Sequence, residues 1–352
     1  MRRRPPLALL VLFAPITIAC GSSPPRGEEP TVTAPSASAS AAAAQGTAAP
    51  PSRVPKLEPL WQSDEGMPAT NLVASGDKLY FFRPGDPNSA ELVSVPIAGG
   101  KPTVVAQGLP GDLIIANNYP VHDGALYVWK GSEILKITLA TGAVTTTPTD
   151  AAGVGTLAAD ASGLYVQEAE DVFRIRFDGK RTKLATLRGA TPSYGAQWLA
   201  STSDSLWVMT GSPTPKVFHL SARDGHVLGE TTLPSPPGAE WHGAIVADGD
   251  GAIAVSSANR TTTVLRLGAQ ESKLLEIAGH LNDACDVRVD AQRVYFTLMD
   301  PSLEKWTLYR LPKSGGEPLA LPSPEEGYEV LADRGEIYVL SHVWSSVWRL
   351  SQ

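Results

Sequence analysis

Five short stretches of this 352-residue chain gather side chains able to bind or to do chemistry: Asn117-Asn118-Tyr119, Ser193-Tyr194, Glu240-Trp241-His242, His280-Leu281-Asn282-Asp283 and Glu325-Glu326-Gly327-Tyr328. His242, His280 and Asp283, with Cys285 close by, are donor types that suit a metal ion, but they lie on two stretches without ligand spacing. The same side chains, with Asn117, Asn118, Tyr119, Tyr194, Trp241 and Tyr328, compose a better face for a protein partner or ligand. No stretch has the spacing of a nucleophile elbow, a zincin helix, a phosphate loop or paired zinc cysteines. Asp248-Gly249-Asp250-Gly251 starts like a calcium loop but lacks the later carboxylates, so it reads as a turn. The residues thus predict no catalytic constellation, no metal and no cofactor.

Scattered stretches of this kind meet only if the fold brings them together, and the chain carries a repeat that does so. A turn residue followed by aliphatic, aromatic and apolar residues recurs as GDKLYFF (76–82), DGALYVW (123–129), SGLYVQ (162–167) and SDSLWVM (203–209). It continues as DGAIAVS (250–256), QRVYFTL (292–298) and RGEIYVL (334–340). The anchors are Tyr80, Tyr127, Tyr165, Trp207, Ala254, Tyr295 and Tyr338, spaced about 43 residues apart, and only the fifth unit lacks an aromatic. A second phrase follows each first, such as Val172-Phe173-Arg174-Ile175 or Leu308-Tyr309-Arg310-Leu311, and most copies then meet a Gly turn and a weaker strand. With the apolar run before each first phrase, every unit has four strands. Four strands in about 43 residues make the blade of a β-propeller.

The sequence therefore predicts an all-β, seven-bladed β-propeller of four-stranded antiparallel blades over residues 55–352. The seventh unit, ending at Val347-Trp348-Arg349-Leu350, has three strands, whereas Lys56–Asp64 is an orphan before the first unit. The N-terminal segment is expected to supply the missing strand and close the ring. Glu58-Pro59-Leu60 matches Glu317-Pro318-Leu319 in the expected fourth strand of unit six. In the second phrase a polar column runs through Ser94, Lys136, Arg174, His219, Arg266, Arg310 and Arg349. A ring of basic residues could hold an anion. Inside the third strand of every blade, the structural reading is preferred: stems that pack and heads that reach solvent or a neighbour's carbonyl. In such a ring the loops entering each first strand converge near the axis, and they carry the five stretches above.

The first residues are a different material. Three arginines precede an apolar run, Leu7–Ala19, too short to span a bilayer, so residues 1–19 read as a signal peptide. Residues 20–54, rich in Ala, Ser and Pro, cannot bury enough apolar surface to fold and read as a disordered tether. Net charge is −7, and loss of Arg2, Arg3 and Arg4 with the leader takes it to about −10, which gives nucleic acid no attraction. Two cysteines, Cys20 and Cys285, make no disulfide framework.

Thr17-Ile18-Ala19-Cys20-Gly21 resembles the lipobox of bacterial lipoproteins, with Thr17 in place of the usual Leu. That resemblance implies acylation of Cys20, and Gly21 implies passage to the outer membrane of a Gram-negative cell. The blade phrases, LYRLPKSGGEPLAL (308–321) especially, resemble TolB-like and quinoprotein-like (BamB-type) propellers. LSARDGHVLGE (220–230) is similar to the quinoprotein turn but lacks its Thr and closing Trp. TolB carries a further α/β domain absent here, and BamB has eight blades, so the resemblance implies fold and address rather than a task. The expectation is an exported, monomeric, lipid-anchored envelope module that holds a protein partner on one propeller face. A sugar- or small-ligand sensor and a propeller lyase or hydrolase are the alternatives.

Overall fold

The computed structural model describes residues 55–63, 68–86, 88–114, 119–153, 157–189, 198–211, 214–235, 241–281, 287–300, 305–324, 328–341 and 346–351. The expected signal peptide, Cys20 and the tether lie outside them, as do Asn117, Asn118, Tyr194, Asp283 and Cys285.

Short runs of β-branched and aromatic residues between Gly and Asp turns favour hairpins over helices, and consecutive hairpins build each sheet. Strand β1 (Lys56–Trp61) precedes the first unit, which is β2 (Thr70–Ser75), β3 (Lys78–Pro84), β4 (Ser89–Pro96) and β5 (Thr103–Pro110). A 3-10 turn at Gly111–Ile114 leads to β6 (Val121–His122), β7 (Ala125–Thr138) and β8 (Val144–Gly153). The third unit is β9 (Leu157–Asp160), β10 (Gly163–Glu168), β11 (Asp171–Ile175) and β12 (Arg181–Thr186); the fourth is β13 (Leu199–Ser201), β14 (Ser205–Thr210), β15 (Lys216–Ser221) and β16 (Val227–Thr232). The fifth is β17 (Trp241–Asp248), β18 (Gly251–Ala258), β19 (Thr261–Leu267) and β20 (Ser272–Ala278). The sixth comprises β21 (Val287–Val289), β22 (Arg293–Asp300), β23 (Lys305–Pro312) and β24 (Leu319–Leu321), so its fourth strand begins after Glu317-Pro318. The seventh has β25 (Tyr328–Asp333), β26 (Glu336–Ser341) and β27 (Ser346–Ser351).

Each unit is one antiparallel sheet in chain order. In the second, Leu139 N–H donates to the Gly124 carbonyl at 2.9 Å, although the fourteen residues of β7 lie between them. Extended, they would separate those ends by about 45 Å; β7 therefore doubles back and serves as both second and third strand. The seventh sheet runs β1-β27-β26-β25. Lys56 pairs with Ser351, Leu57 with Leu350, Glu58 with Arg349 and Pro59 with Trp348. The expected exchange closes the ring. This is a seven-bladed β-propeller.

The seven hydrophobic clusters lie at the blade-to-blade interfaces. Middle strands are buried on both faces, so successive side chains alternate between the preceding and following interface. Leu164 and Val166 face the second blade, whereas Tyr165 between them faces the fourth. Every aromatic anchor points to the following blade: Tyr80, Tyr127, Tyr165, Trp207, Tyr295 and Tyr338 each head such a cluster. In the fifth unit the structure corrects the reading. The turn is Gly249-Asp250, so Ile253 pairs with Arg266 and packs toward blade six, while Ala254 faces blade four. An aliphatic anchor thus replaces the aromatic one.

The anchors have a polar end as well. Tyr165 donates its hydroxyl to Asp160 at 2.8 Å, and Tyr295 donates to Asp290 at 2.8 Å, each carboxylate also capping its own turn. Burial, with the adjacent carboxylate, raises both hydroxyls to about 12 from an ordinary 10.0. Folding therefore favours the neutral phenols. That contribution is complete below about pH 10 and is lost as pH rises from about 10 through 12. An alkaline denaturation series is expected to show stability falling across this window. Y165F and Y295F are each expected to flatten the fall, while costing about 1 kcal/mol at neutral pH for the lost hydrogen bond.

Close approach explains the recurring turn glycine. A Cβ on Gly142, in the turn after β7, would lie 1.8 Å from the Val105 carbonyl on the outer strand of blade one, and its φ is +69°. Gly225 meets the Leu184 carbonyl of blade three in the same way. G142A is expected to lose about 2–4 kcal/mol in urea unfolding. G124A, at φ +64° with nothing nearby, should lose about 1 kcal/mol. Equal losses would mean that the contact carries no weight.

Candidate functional site

The inner strands of all seven blades surround an axial cavity of about 320 Å³. Its wall includes Leu72, Val73 and Ala74 from β2, Ala158 and Ala159 from β9, Leu199 to Ser201 from β13, Val246 and Ala247 from β17, and Leu331 from β25. Tyr119, Pro120 and Val121 line it from the second blade and Arg288 from the sixth. Inner strands converge on the axis, so small side chains are needed where seven of them meet. Arg288 is the one charged side chain among the described lining residues, and its Nη1 donates to the Val287 carbonyl at 3.0 Å.

A buried carboxylate holds the end of this cavity where the first strands begin. Glu329, 6% exposed, accepts the Asn71 N–H at 2.8 Å and the Leu72 N–H at 2.7 Å, one on each oxygen. Those two N–H groups come free because β2 bulges between Thr70 and Val73, with Asn71 at φ 64°, a conformation Asn tolerates better than most residues. Asn71 Nδ2 donates to the Leu113 carbonyl at 3.3 Å. Blade seven, blade one and the link to blade two are thus tied at one place. Sequence inspection missed Asn71, Arg288 and Glu329, because each sits inside an apolar run that reads as a plain inner strand. A charge between apolar or aromatic neighbours, as in Val287-Arg288-Val289 and Tyr328-Glu329-Val330, was the available signal.

The predicted face residues that are described fall into two groups. Tyr119 lines the cavity and meets Phe82 edge-on at 5.8 Å, and burial, with Asp112 adding, pushes its hydroxyl above the ordinary range. Tyr328 is buried in the cluster between blades six and seven, and its hydroxyl is likewise raised by burial. Trp241 lies over Gly243, where any Cβ would come within 2.6 Å of the indole, and packs toward blade four. His242 takes the opposite face of β17, shared with Ala244 and Val246, toward blade six. His280 pairs with Met299 of blade six and stands edge-on at 6.0 Å to Trp306, which packs toward blade seven, so the two imidazoles lie on different interfaces. Among the described residues no three His, Cys, Asp or Glu side chains are placed to hold a metal.

No protein-family profile matches the sequence, and no curated protein matches it. Solved structures match in fold. Virginiamycin B lyase from Staphylococcus aureus, with quinupristin, superposes with a TM-score of 0.59 at 16% identity, covering 85% of this chain and 99% of that one. BamB from Moraxella catarrhalis gives a TM-score of 0.54 at 10% identity, over 84% of this chain and 100% of that one. An oligogalacturonate lyase in complex with manganese gives 0.55 at 15% identity, over 85% and 96%. At these identities the likeness is one of fold.

Proposed function

We propose that the protein is a lipid-anchored binding module of the cell envelope that holds a protein partner over the end of the ring where Asn71 and Glu329 meet. The observation carrying this reading is the axial wall: mostly aliphatic side chains from the blades, with the polar Asn71, Tyr119 and Ser201 and one guanidinium, Arg288. General acid–base chemistry needs a group that titrates near the working pH, and a guanidinium stays protonated. The nearby carboxylate, Glu329, is already bonded to two backbone N–H groups. Such a wall suits an apolar side chain of a partner with an acidic neighbour for Arg288. The fold also carries lyases, and a lyase here would need ionisable groups from several blades at one mouth. A small-ligand sensor is the second reading, favoured by the cavity's 320 Å³, near the lower end of ligand pockets at roughly 300–1,000 Å³.

The address rests on the leader and on the Thr17–Gly21 stretch. Replacing Cys20 by Ala is expected to move the protein from the membrane to the soluble envelope fraction; retention at the membrane would remove the lipid anchor from the reading. The partner is tested by extraction in mild detergent and identification of what stays bound. One stoichiometric protein is expected, lost from A247F, which fills the cavity, and from R288E. Recovery that both variants leave unchanged would place the partner elsewhere. Stabilisation of the purified chain by a sugar panel, without a protein partner, would favour the sensor.

A further inference from the structure

Two arginines of the polar column in the third strands share a task. Arg174 of blade three donates from Nη1 to the carbonyls of Ala222 and Arg223, at 3.4 and 3.3 Å, in the turn that follows the third strand of blade four. Arg266 of blade five does the same to Lys313 of blade six, at 2.6 Å. Ala222 and Lys313 occupy equivalent places, each donating its N–H back to the turn between its blade's first and second strands. Each of these arginines is therefore a latch onto the turn between the third and fourth strands of the next blade. Arg349 instead pairs with Glu58 at 2.9 Å, across the closing strand of its own blade.

Arg310, in the same column on blade six and paired across from Tyr295, should latch onto the corresponding turn of blade seven. Among the described residues there is no such turn, because the seventh blade takes its fourth strand from β1 rather than from a hairpin after β27. Arg310 makes no hydrogen bond or ion pair with any described residue. Beside Arg310 there is a notch of about 370 Å³, lined by Gln292, Arg293, Arg310, Ser314, Glu317 and Leu319 among others. Leu319 on its wall is 44% exposed. Among the described residues, the strand exchange that closes the ring thus leaves this guanidinium without the acceptor its counterparts have.

We propose that this notch is a carboxylate-binding site, with Arg310 as the bidentate donor and Arg293 as the second cation. A planar guanidinium matches a carboxylate through two parallel N–H bonds. The two guanidiniums are set against the carboxylates of Glu317 on the wall and Asp290 beside Arg310, so the notch carries no excess positive charge and suits a monoanion held by directed hydrogen bonds better than a dianionic phosphate. The amide of Gln292 and the hydroxyl of Ser314 add neutral donors, and Leu319 offers a wall for the carbon next to the carboxylate. Burial and then the charge of Arg293 depress the Arg310 pKa, against a smaller opposing pull from Tyr295 and Asp290, and a bound anion would add to that pull. The notch sits at the end of the ring bearing the turns between third and fourth strands, opposite the loops that enter the inner strands. It is therefore independent of the partner face proposed above.

The test uses the full chain with ¹⁵N-labelled arginine, read through the Nε–H resonances by NMR. One resonance, absent from R310Q, is expected to move along a saturable curve with sodium acetate, and R293Q is expected to weaken binding by about tenfold. A shift that stays linear and is reproduced by sodium chloride at equal ionic strength would overturn the site. Saturation by inorganic phosphate at more than tenfold lower concentration would overturn the carboxylate assignment. The peptide acetyl-Gly-Glu-Gly-amide separates the two sources of the group. Binding tenfold tighter than acetate marks an acidic protein side chain; equal binding marks a free organic acid. Thermal unfolding supplies the structural control: R174Q should lower the melting temperature and R310Q should not. Equal losses would make Arg310 another latch and end the proposal.

Discussion

A chain lacking residues 55–63 is expected to unfold with on the order of 5 kcal/mol less stability than the intact protein, and to melt roughly 10 °C or more lower. Strand β1 does three things at once. Its backbone pairs with β27, and without it β27 becomes an open sheet edge at which chains can associate. Leu57 packs into the interface of blades six and seven, while Leu60 and Trp61 pack into that of blades seven and one. Trp61 also stacks on Phe81 at 5.4 Å, which joins the first blade to the last. Each of these half-buried side chains is worth about 1–2 kcal/mol. The ion pair of Glu58 with Arg349 is exposed and adds little. Differential scanning calorimetry measures the loss. Adding a peptide of residues 55–63 in trans should restore part of it. A truncated chain melting within a degree or two of the intact one would show that the seventh blade holds without its fourth strand.

The second large effect is expected from one residue. E329A should lose about 3–5 kcal/mol in urea unfolding, because it strands the N–H groups of Asn71 and Leu72 in a buried place, each costing about 1–3 kcal/mol. E329Q keeps one acceptor but turns a donor toward the other N–H, so about 2–3 kcal/mol is expected. E317A, on an exposed side chain, is the control and should change little. The bulge in β2 exists to meet this carboxylate, so a secondary readout is the ordering of residues 70–73 by amide hydrogen exchange. Fast exchange at Leu72 in E329A, with the rest of blade one unchanged, is the expected pattern. An E329A protein as stable as the original would mean that water replaces the carboxylate without cost.

The repeat was legible because a propeller blade is a local structure. Four strands joined by short turns pair with their neighbours in the chain, so turn residues and apolar alternation are written side by side, as in Asp123–Trp129. Even the exchange at the seventh blade could be read, because three strands without a fourth and an orphan strand at the other end leave one arrangement that satisfies both edges. The fifth anchor was misread by one position for a similar reason. Asp250-Gly251-Ala252 copies Asp123-Gly124-Ala125 in letters, but the two-residue turn is Gly249-Asp250, and the turn sets the register of everything after it.

The candidate site was less legible. Tyr119, Trp241, His242, His280 and Tyr328 were grouped as one face because their loops enter inner strands. The structure distributes them among interfaces instead: Trp241 toward blade four, His242 toward blade six, Tyr328 into a core cluster. Adjacent residues on a strand point to opposite sides, so a motif such as Trp241-His242 divides between two interfaces.

The amino-acid sequence by itself determined the blades, their number and the way the ring is closed, since these follow from contacts between residues near in the chain and from one unpaired edge. Tertiary structure alone decided the charged groups. Glu329 meets Asn71 and Leu72 from more than 250 residues away. Arg174 and Arg266 find carbonyls on the next blade, and Arg310, in the same column, meets none among the described residues. A hydrogen bond depends on atoms placed to within a few tenths of an ångström across blades, and no pattern along a single strand records what the neighbouring blade presents.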